Sequence, residues 1–150
     1  MKFFLAQINP TVGDLDGNAK KILDAASQGY LNSADLILTP ELSLLGYPPK
    51  DLLLKKNLVE KQYQIIDKLA LDIRTKFGDL SIVLGMAEII KDSFFPNLYN
   101  SLALLENGKW QIISRKIILP TYEVFDEKRY FRSEQKVSTI TKIIKNKTWK

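Results

Sequence analysis

Arg115-Lys116-Ile117-Ile118-Leu119-Pro120-Thr121-Tyr122-Glu123-Val124-Phe125-Asp126-Glu127-Lys128-Arg129-Tyr130-Phe131 is the stretch around which this chain is organised. The apolar run from Trp110 to Ser114 leads into it and reads as a strand. Lys116 then stands at the strand's end, and Pro120 stops regular structure. A segment dense in charges and aromatic rings follows. A lysine where a strand gives way to a loop is a place where sites are commonly built. The remainder reads as a frame that brings one other residue, Glu41, to this lysine.

Upstream of that stretch the chain alternates strands and helices. Lys2 to Ile8 is an apolar run with two aromatics, the mark of a buried strand. Asn9 to Asp14 has loop chemistry, and Asp16, Gly17 or Asn18 can cap a helix. Ala19, Ile22, Leu23, Ala26 and Tyr30 give that helix one apolar face, and Gly29 suits its C-terminal stop. Asp35 to Thr39 is a second short strand, ending at Pro40-Glu41. The loop Leu44 to Asp51 is held out of helix and strand by Gly46 and Pro48-Pro49. A long helix, Asn57 to Lys76, buries Leu58, Ile65, Ile66, Leu69, Ala70 and Ile73. Gly78-Asp79 is a turn. Ser81 to Ala87 is uniformly apolar, which suits a central strand.

Leu98 to Leu105 pairs with Trp110 to Ser114 across Asn107-Gly108, the strongest short hairpin signal. Val137 to Ile144 alternates weakly as a strand. Lys145 to Lys147 reads as a turn, and Thr148 to Lys150 as the start of a returning strand. The order strand, helix, strand, helix, strand, hairpin implies an α/β layered domain with a mixed sheet. Parallel pairing joins the first three strands, with both helices on one face. A second sheet covering the other face would make a helix-sheet-sheet-helix sandwich. With the last strand just starting, residues 1–150 are expected to be part of a domain rather than all of one. An open final strand edge would leave the isolated chain poorly soluble or oligomeric.

Composition narrows the chemistry. The 150 residues carry a net charge of +5, with 45% hydrophobic residues. Lys136, Lys142, Lys145, Lys147 and Lys150 crowd the end of the chain. Without those five lysines, 17 basic residues face 17 acidic ones. A neutral surface with a basic end is not the one-sided patch of a nucleic-acid binder. No apolar run is long enough to cross a bilayer, and the first residues turn polar too soon for a secretory signal, so a cytoplasmic protein without a membrane partner is expected. The chain has no cysteine and no histidine. Disulfides, zinc sites built on sulfur or imidazole, and Ser-His-Asp or Cys-His catalysis within these residues are thereby excluded.

Carboxylates, lysines, tyrosines and hydroxyls remain. Glu41, after a strand and a proline, is either a solvated loop carboxylate or a general base. Lys116 is either a cation leaving for water or an oxyanion donor. If both strands end on the same sheet edge, the two converge, and each then shifts the other's charge balance. Glu127 could orient Lys116, or pair at the surface with Lys128 or Arg129. Tyr122 could line a pocket, or pack in the core. Trp110 and Trp149 read as core. No glycine-rich phosphate loop is present.

Three ordered motifs resemble the nitrilase superfamily, and within it the glutaminase domain of glutamine-dependent NAD synthetases. They are Gln7 to Asn18, then Pro40-Glu41-Leu42 with Gly46-Tyr47-Pro48-Pro49-Lys50-Asp51-Leu52-Leu53, then Lys116 with Leu119 to Tyr122 and Val124 to Phe131. The resemblance implies a nitrilase-like α-β-β-α sandwich and a Glu-Lys-Cys triad. Glu41 falls on the general base and Lys116 on the oxyanion lysine. Tyr122 falls on a glutamine-contacting position, and Glu127 on an accessory glutamate. The resemblance further implies L-glutamine as substrate and an oligomer of identical chains. It implies ATP, Mg and deamido-NAD as partners of a synthetase domain. The family's cysteine would follow the strand that starts at Trp149, so this stretch alone should lack glutaminase activity. The alternatives are another nitrilase-like amidase, or a catalytically dead truncated fragment acting only as an interaction module.

Overall fold

A computed structural model describes residues 1–91, 94–137, 142–144 and 147–149, the last two segments by their backbone. Five strands form one mixed sheet in the order β1-β2-β3-β4-β5: β1 (Phe3–Leu5), β2 (Leu36–Leu38), β3 (Ser81–Ile89), β4 (Leu98–Glu106) and β5 (Lys109–Arg115). β1, β2 and β3 run parallel, and β3, β4 and β5 antiparallel. The central place expected for the Ser81 strand is where β3 lies. Asn107 and Gly108 turn the β4–β5 hairpin with φ of 52° and 76°, the left-handed pair that an Asn-Gly turn requires. β6 (Lys142–Ile144) pairs antiparallel with β7 (Lys147–Trp149) as a separate two-stranded sheet. Of the turn expected over Lys145 to Lys147, residues 145 and 146 lie outside the described residues and Lys147 begins β7; residues 138–141 of the strand expected from Val137 and the side chain of Trp149 also lie outside them.

Helices α1 (Leu15–Leu31) and α2 (Lys56–Phe77) share one face of the sheet. Ile22 and Ala26 of α1, and Ile66, Leu69 and Ile73 of α2, are sealed against Ile37, Ile82, Leu84, Ala103 and Leu105. Each such isoleucine or leucine side chain contributes roughly 1.5–3 kcal/mol. Strand alternation sends Leu36, Val83, Leu104 and Ile113 into a second buried cluster.

Several expectations are corrected. The first strand is not buried: β1 is an edge, with Phe3 46% and Leu5 71% exposed. Its apolar run cannot by itself tell edge from centre. The α1 cap is Asp14, whose carboxylate accepts the Gly17 N–H at 2.9 Å. This brings Leu15 into the helix, where it is buried. Gly29 is not the stop; α1 runs on to Leu31. A Cβ at Gly29 would lie 2.8 Å from Ile37 Cδ1, so the glycine serves close helix–sheet contact. Tyr30 leaves the apolar face for solvent and stacks on Phe77, with ring centroids 5.6 Å apart. On α2, Val59 and Gln62 take the buried stripe ahead of Leu58. Gln62 is tolerated there because its amide bonds both the N–H and the C=O of Ala87. Trp110 is only half-buried, packing on Tyr63 and donating its indole N–H to Asp67 at 2.6 Å. The Leu44 to Asp51 loop ends in a short 3-10 turn, Lys50–Leu54.

The loop after β2 matters most for the site. Pro40, Glu41 and Leu42 pass directly over Gly85 of β3. A Cβ at Gly85 would stand 2.5 Å from Leu42 N and 2.8 Å from the Pro40 carbonyl oxygen. Only a residue without a side chain lets the loop through. Leu42 has φ of 46°, a strained value for a leucine, and its fully buried side chain pins it there. Gly85→Ala should therefore destabilise the fold by about 1–3 kcal/mol, the usual cost of overpacking. Urea unfolding checks this, and unchanged stability would contradict the crossing.

Candidate active site

Strand polarity sets the geometry. β2 and β5 point the same way, because two antiparallel steps separate β3 from β5. Their C-terminal ends therefore lie on one sheet edge. They are still three strand spacings apart, roughly 14 Å at about 4.8 Å each. The crossing over Gly85 carries Glu41 across that gap. Lys116 follows β5 directly, and its N–H donates to the Asn100 carbonyl of β4.

Lys116 meets two carboxylates. Its Nζ donates to Glu41 Oε1 at 2.7 Å and to Glu127 Oε1 at 3.0 Å, and Glu127 Oε2 stands 2.9 Å away. The ammonium thus straddles both Glu127 oxygens, with the directed bond going to Oε1 and only an ion-pair contact to Oε2. Glu127 is the buried partner, its side chain 6% exposed against 41% for Glu41. An exposed ion pair contributes little, but a buried carboxylate left without its cation costs several kcal/mol. The Glu127 half of the bridge therefore dominates the energetics, and the Glu41 half dominates access.

Two neighbours complete the arrangement. The Tyr47 hydroxyl donates to Glu127 Oε1 at 2.8 Å. The Asn100 amide Nδ2 donates to Glu41 Oε1. Neither residue was singled out from the sequence. Tyr47 lies in the Gly46-Tyr47-Pro48-Pro49 run but had no assigned partner. A signal for Asn100 existed, since asparagine is depleted in strand interiors and this one is 6% exposed. The Glu127 pairing with Lys128 or Arg129 does not occur among the described residues; Arg129 turns to Asp51 at 3.7 Å.

Tyr122 is 63% exposed, so it is not core. It meets Phe125 edge-on at 5.5 Å, and Phe125 lies 6.4 Å from Tyr47. The three rings form a row from Glu127 outward. Tyr122 is thus near the carboxylate cluster without bonding to it among the described residues.

Burial disfavours the Lys116 ammonium, but the hydrogen bonds to Glu41 and Glu127 and their charges outweigh it, and its pKa rises above the ordinary 10.5. Burial pushes the Tyr47 phenol up as well, helped by its bond to Glu127 and by the charges of Glu127 and Glu41. Two carboxylates against one ammonium leave the cluster one negative charge. Glu41 offers its carboxylate at the exposed side beside a fixed cation, an arrangement that suits a base next to an oxyanion donor.

A cavity of about 270 Å³ opens on this cluster, lined by Glu41, Asn100, Ser101, Leu102, Ser114, Arg115 and Lys116. A second, of about 180 Å³, lies behind Glu127 between Tyr47, Phe125 and Tyr130. A larger concavity, about 800 Å³ beside Tyr63, Glu88 and Trp110, holds neither Glu41 nor Lys116. The converging charges, not the volume, locate the chemistry. Arg115 also lines the site cavity, but it is engaged by Glu88 through two bonds of 2.7 Å and by Glu134 at 3.2 Å.

Residues 5–145 match the sequence model of the family described as carbon-nitrogen hydrolase. The chain is 43% identical over 132 residues to the glutamine-dependent NAD(+) synthetase of Synechocystis sp., covering 88% of this chain and 24% of that protein. It is 34% identical over 140 residues to the enzyme of the same name from Thermotoga maritima, covering 93% and 23%. Among solved structures it resembles the glutamine-dependent NAD+ synthetase of Acinetobacter baumannii, in complex with ADP. There the TM-score is 0.79 and the identity 34%, over 97% of this chain and 26% of that one. An amidase from Nesterenkonia sp. shares the fold at TM-score 0.70 and 22% identity, over 91% and 49%. The chain spans about a quarter of the length of the curated relatives it matches.

The raised pKa values of Lys116 and Tyr47 fix a pH dependence. A group whose pKa is higher in the folded state contributes stability that is intact below its unfolded value and lost as pH rises past it. Stability should hold from pH 7 to about 10 and then fall. Lys116→Met should lower the plateau by about 3 kcal/mol by stranding Glu127 and make the alkaline fall shallower. Urea titrations of both forms across pH check this; parallel curves would refute it.

Proposed function

The chain belongs to the carbon-nitrogen hydrolase family, and from that premise we propose that it supplies the glutamate and lysine of a glutamine-hydrolysing site. The site belongs to a longer protein that amidates deamido-NAD to NAD. The observation carrying this reading is the 2.7 Å contact between Lys116 Nζ and Glu41 Oε1 at the mouth of a cavity. These 150 residues contain no cysteine, so in this reading the thiol comes from the longer protein.

In this reading Glu41 takes the proton of that thiol, and the thiolate attacks the glutamine carboxamide carbon. Charge builds on the carbonyl oxygen, where the Lys116 ammonium receives it. The tetrahedral adduct collapses as Glu41 returns its proton to the departing nitrogen. The C–N bond breaks and ammonia leaves. Glu41 then takes a proton from water, the hydroxide attacks the thioester, and glutamate departs as the sulfur regains a proton. Glu127 and Tyr47 hold Lys116 in place throughout. Tyr122, at the exposed end of the ring row, is positioned to meet the substrate's far end. ATP and Mg serve the amidation in the remaining length of the protein. No group of three or more candidate metal ligands occurs among the described residues, and no step here runs through those cofactors. A cytoplasmic location and assembly of identical chains complete the proposal; no helix among the described residues is long and apolar enough to cross a membrane.

The test uses the full-length protein that carries this chain, assayed for NAD formation from deamido-NAD with glutamine or with ammonia. Glu41→Gln should cut the glutamine-driven rate roughly a thousandfold, a typical loss for a general base, and leave the ammonia-driven rate unchanged. If ammonia supports the reaction and glutamine does not, even in the wild type, the proposal is wrong.

A further inference from the structure

Every donor that reaches Glu41 among the described residues goes to a single oxygen. Lys116 Nζ and Asn100 Nδ2 both bond Oε1. Two donors on one oxygen occupy its lone pairs and leave those of the other free to take a proton. Asn100 is held by its strand: it pairs with Ala87 across β4 and β3, and its carbonyl accepts the Lys116 N–H. Its side chain is therefore aimed by the same backbone contact that places Lys116. Glu41, on a crossing loop and 41% exposed, has no such restraint of its own.

We propose that Asn100 is a positioning residue that selects Glu41 Oε2 as the proton-accepting oxygen by holding Oε1 jointly with Lys116. The inference rests on the reading of Glu41 as the general base. A neutral amide suits the task. A second cation would depress the basicity of the whole carboxylate, whereas an amide orients it with less loss of basicity. Lys116 alone cannot fix the rotation, because its flexible stem is shared with Glu127. Asn100 supplies the second point that defines the carboxylate plane. The charged and titratable groups facing Glu41 are Lys116 after β5, Glu127 on its turn, Tyr47 further along the loop that carries Glu41 and Arg115 across the cavity. None of them donates to Oε2 among the described residues.

The test compares glutamine hydrolysis by the full-length protein and its Asn100→Ala, Asn100→Asp and Glu41→Gln forms across pH. Asn100→Ala should lower kcat roughly ten- to a hundredfold, the scale of one hydrogen bond to a charged group, with KM for glutamine little changed. The acid limb of the kcat/KM profile should move to higher pH, because ionised Glu41 has lost a donor. Asn100→Asp keeps the shape and removes the donor. Its deficit and its shift should exceed those of the alanine form, the reverse of what a packing role gives. Ammonia-driven synthesis and thermal melting of each variant report whether the fold survives. If Asn100→Ala keeps the wild-type acid limb, or Asn100→Asp is the milder variant, the positioning role is refuted. If Glu41→Gln retains glutamine hydrolysis, it is the general-base reading that has failed.

Discussion

One ammonium held between two carboxylates organises this protein. Lys116 bonds Glu41 on the exposed side and Glu127 on the buried side. The two halves differ in kind. The buried half is structural, because a buried carboxylate left without its cation costs several kcal/mol. The exposed half faces the cavity, with Glu41 41% exposed. A single side chain can serve both ends because its stem is partly buried while its head reaches the cavity.

That meeting depends on backbone more than on side chains. Strands β2 and β5 end on one edge but stand too far apart for their residues to touch. The Pro40-Glu41-Leu42 crossing closes the gap, and Gly85 makes the crossing sterically possible. Leu42 accepts an unfavourable φ to complete it, and burial of its side chain holds it there. A second glycine, Gly46 at φ 79°, lets the same loop approach Val12 closely enough that a Cβ would lie 2.6 Å from its Cα. Asn18 ties the two loops by bonding Thr11 and the Leu44 carbonyl. The residues with least chemistry thus carry most of the geometry.

Membership of the carbon-nitrogen hydrolase family and the match to glutamine-dependent synthetases give this arrangement its context. The matched relatives are about four times as long as this chain. In this chain the carboxylate–lysine pair stands at a sheet edge beside an open cavity. The cavity beside Glu41 is small, about 270 Å³.

The element order, the central strand, the Asn-Gly hairpin and the candidate pair Glu41 and Lys116 were all legible in the residues. Apolar periodicity, turn chemistry and motif spacing act locally, so a linear string carries them in full. The edge position of β1, the helical role of Gly29, and the parts played by Tyr47 and Asn100 were not. Each depends on what a residue meets from a segment 8 to 80 positions away, as Gly29 does with Ile37 and Tyr47 with Glu127. Sequence alone determined which groups could do chemistry, because residue type sets charge and hydrogen-bonding capacity. Tertiary structure decided which of them face each other, because only the folded backbone sets distance, and electrostatic coupling exists only where distance is short.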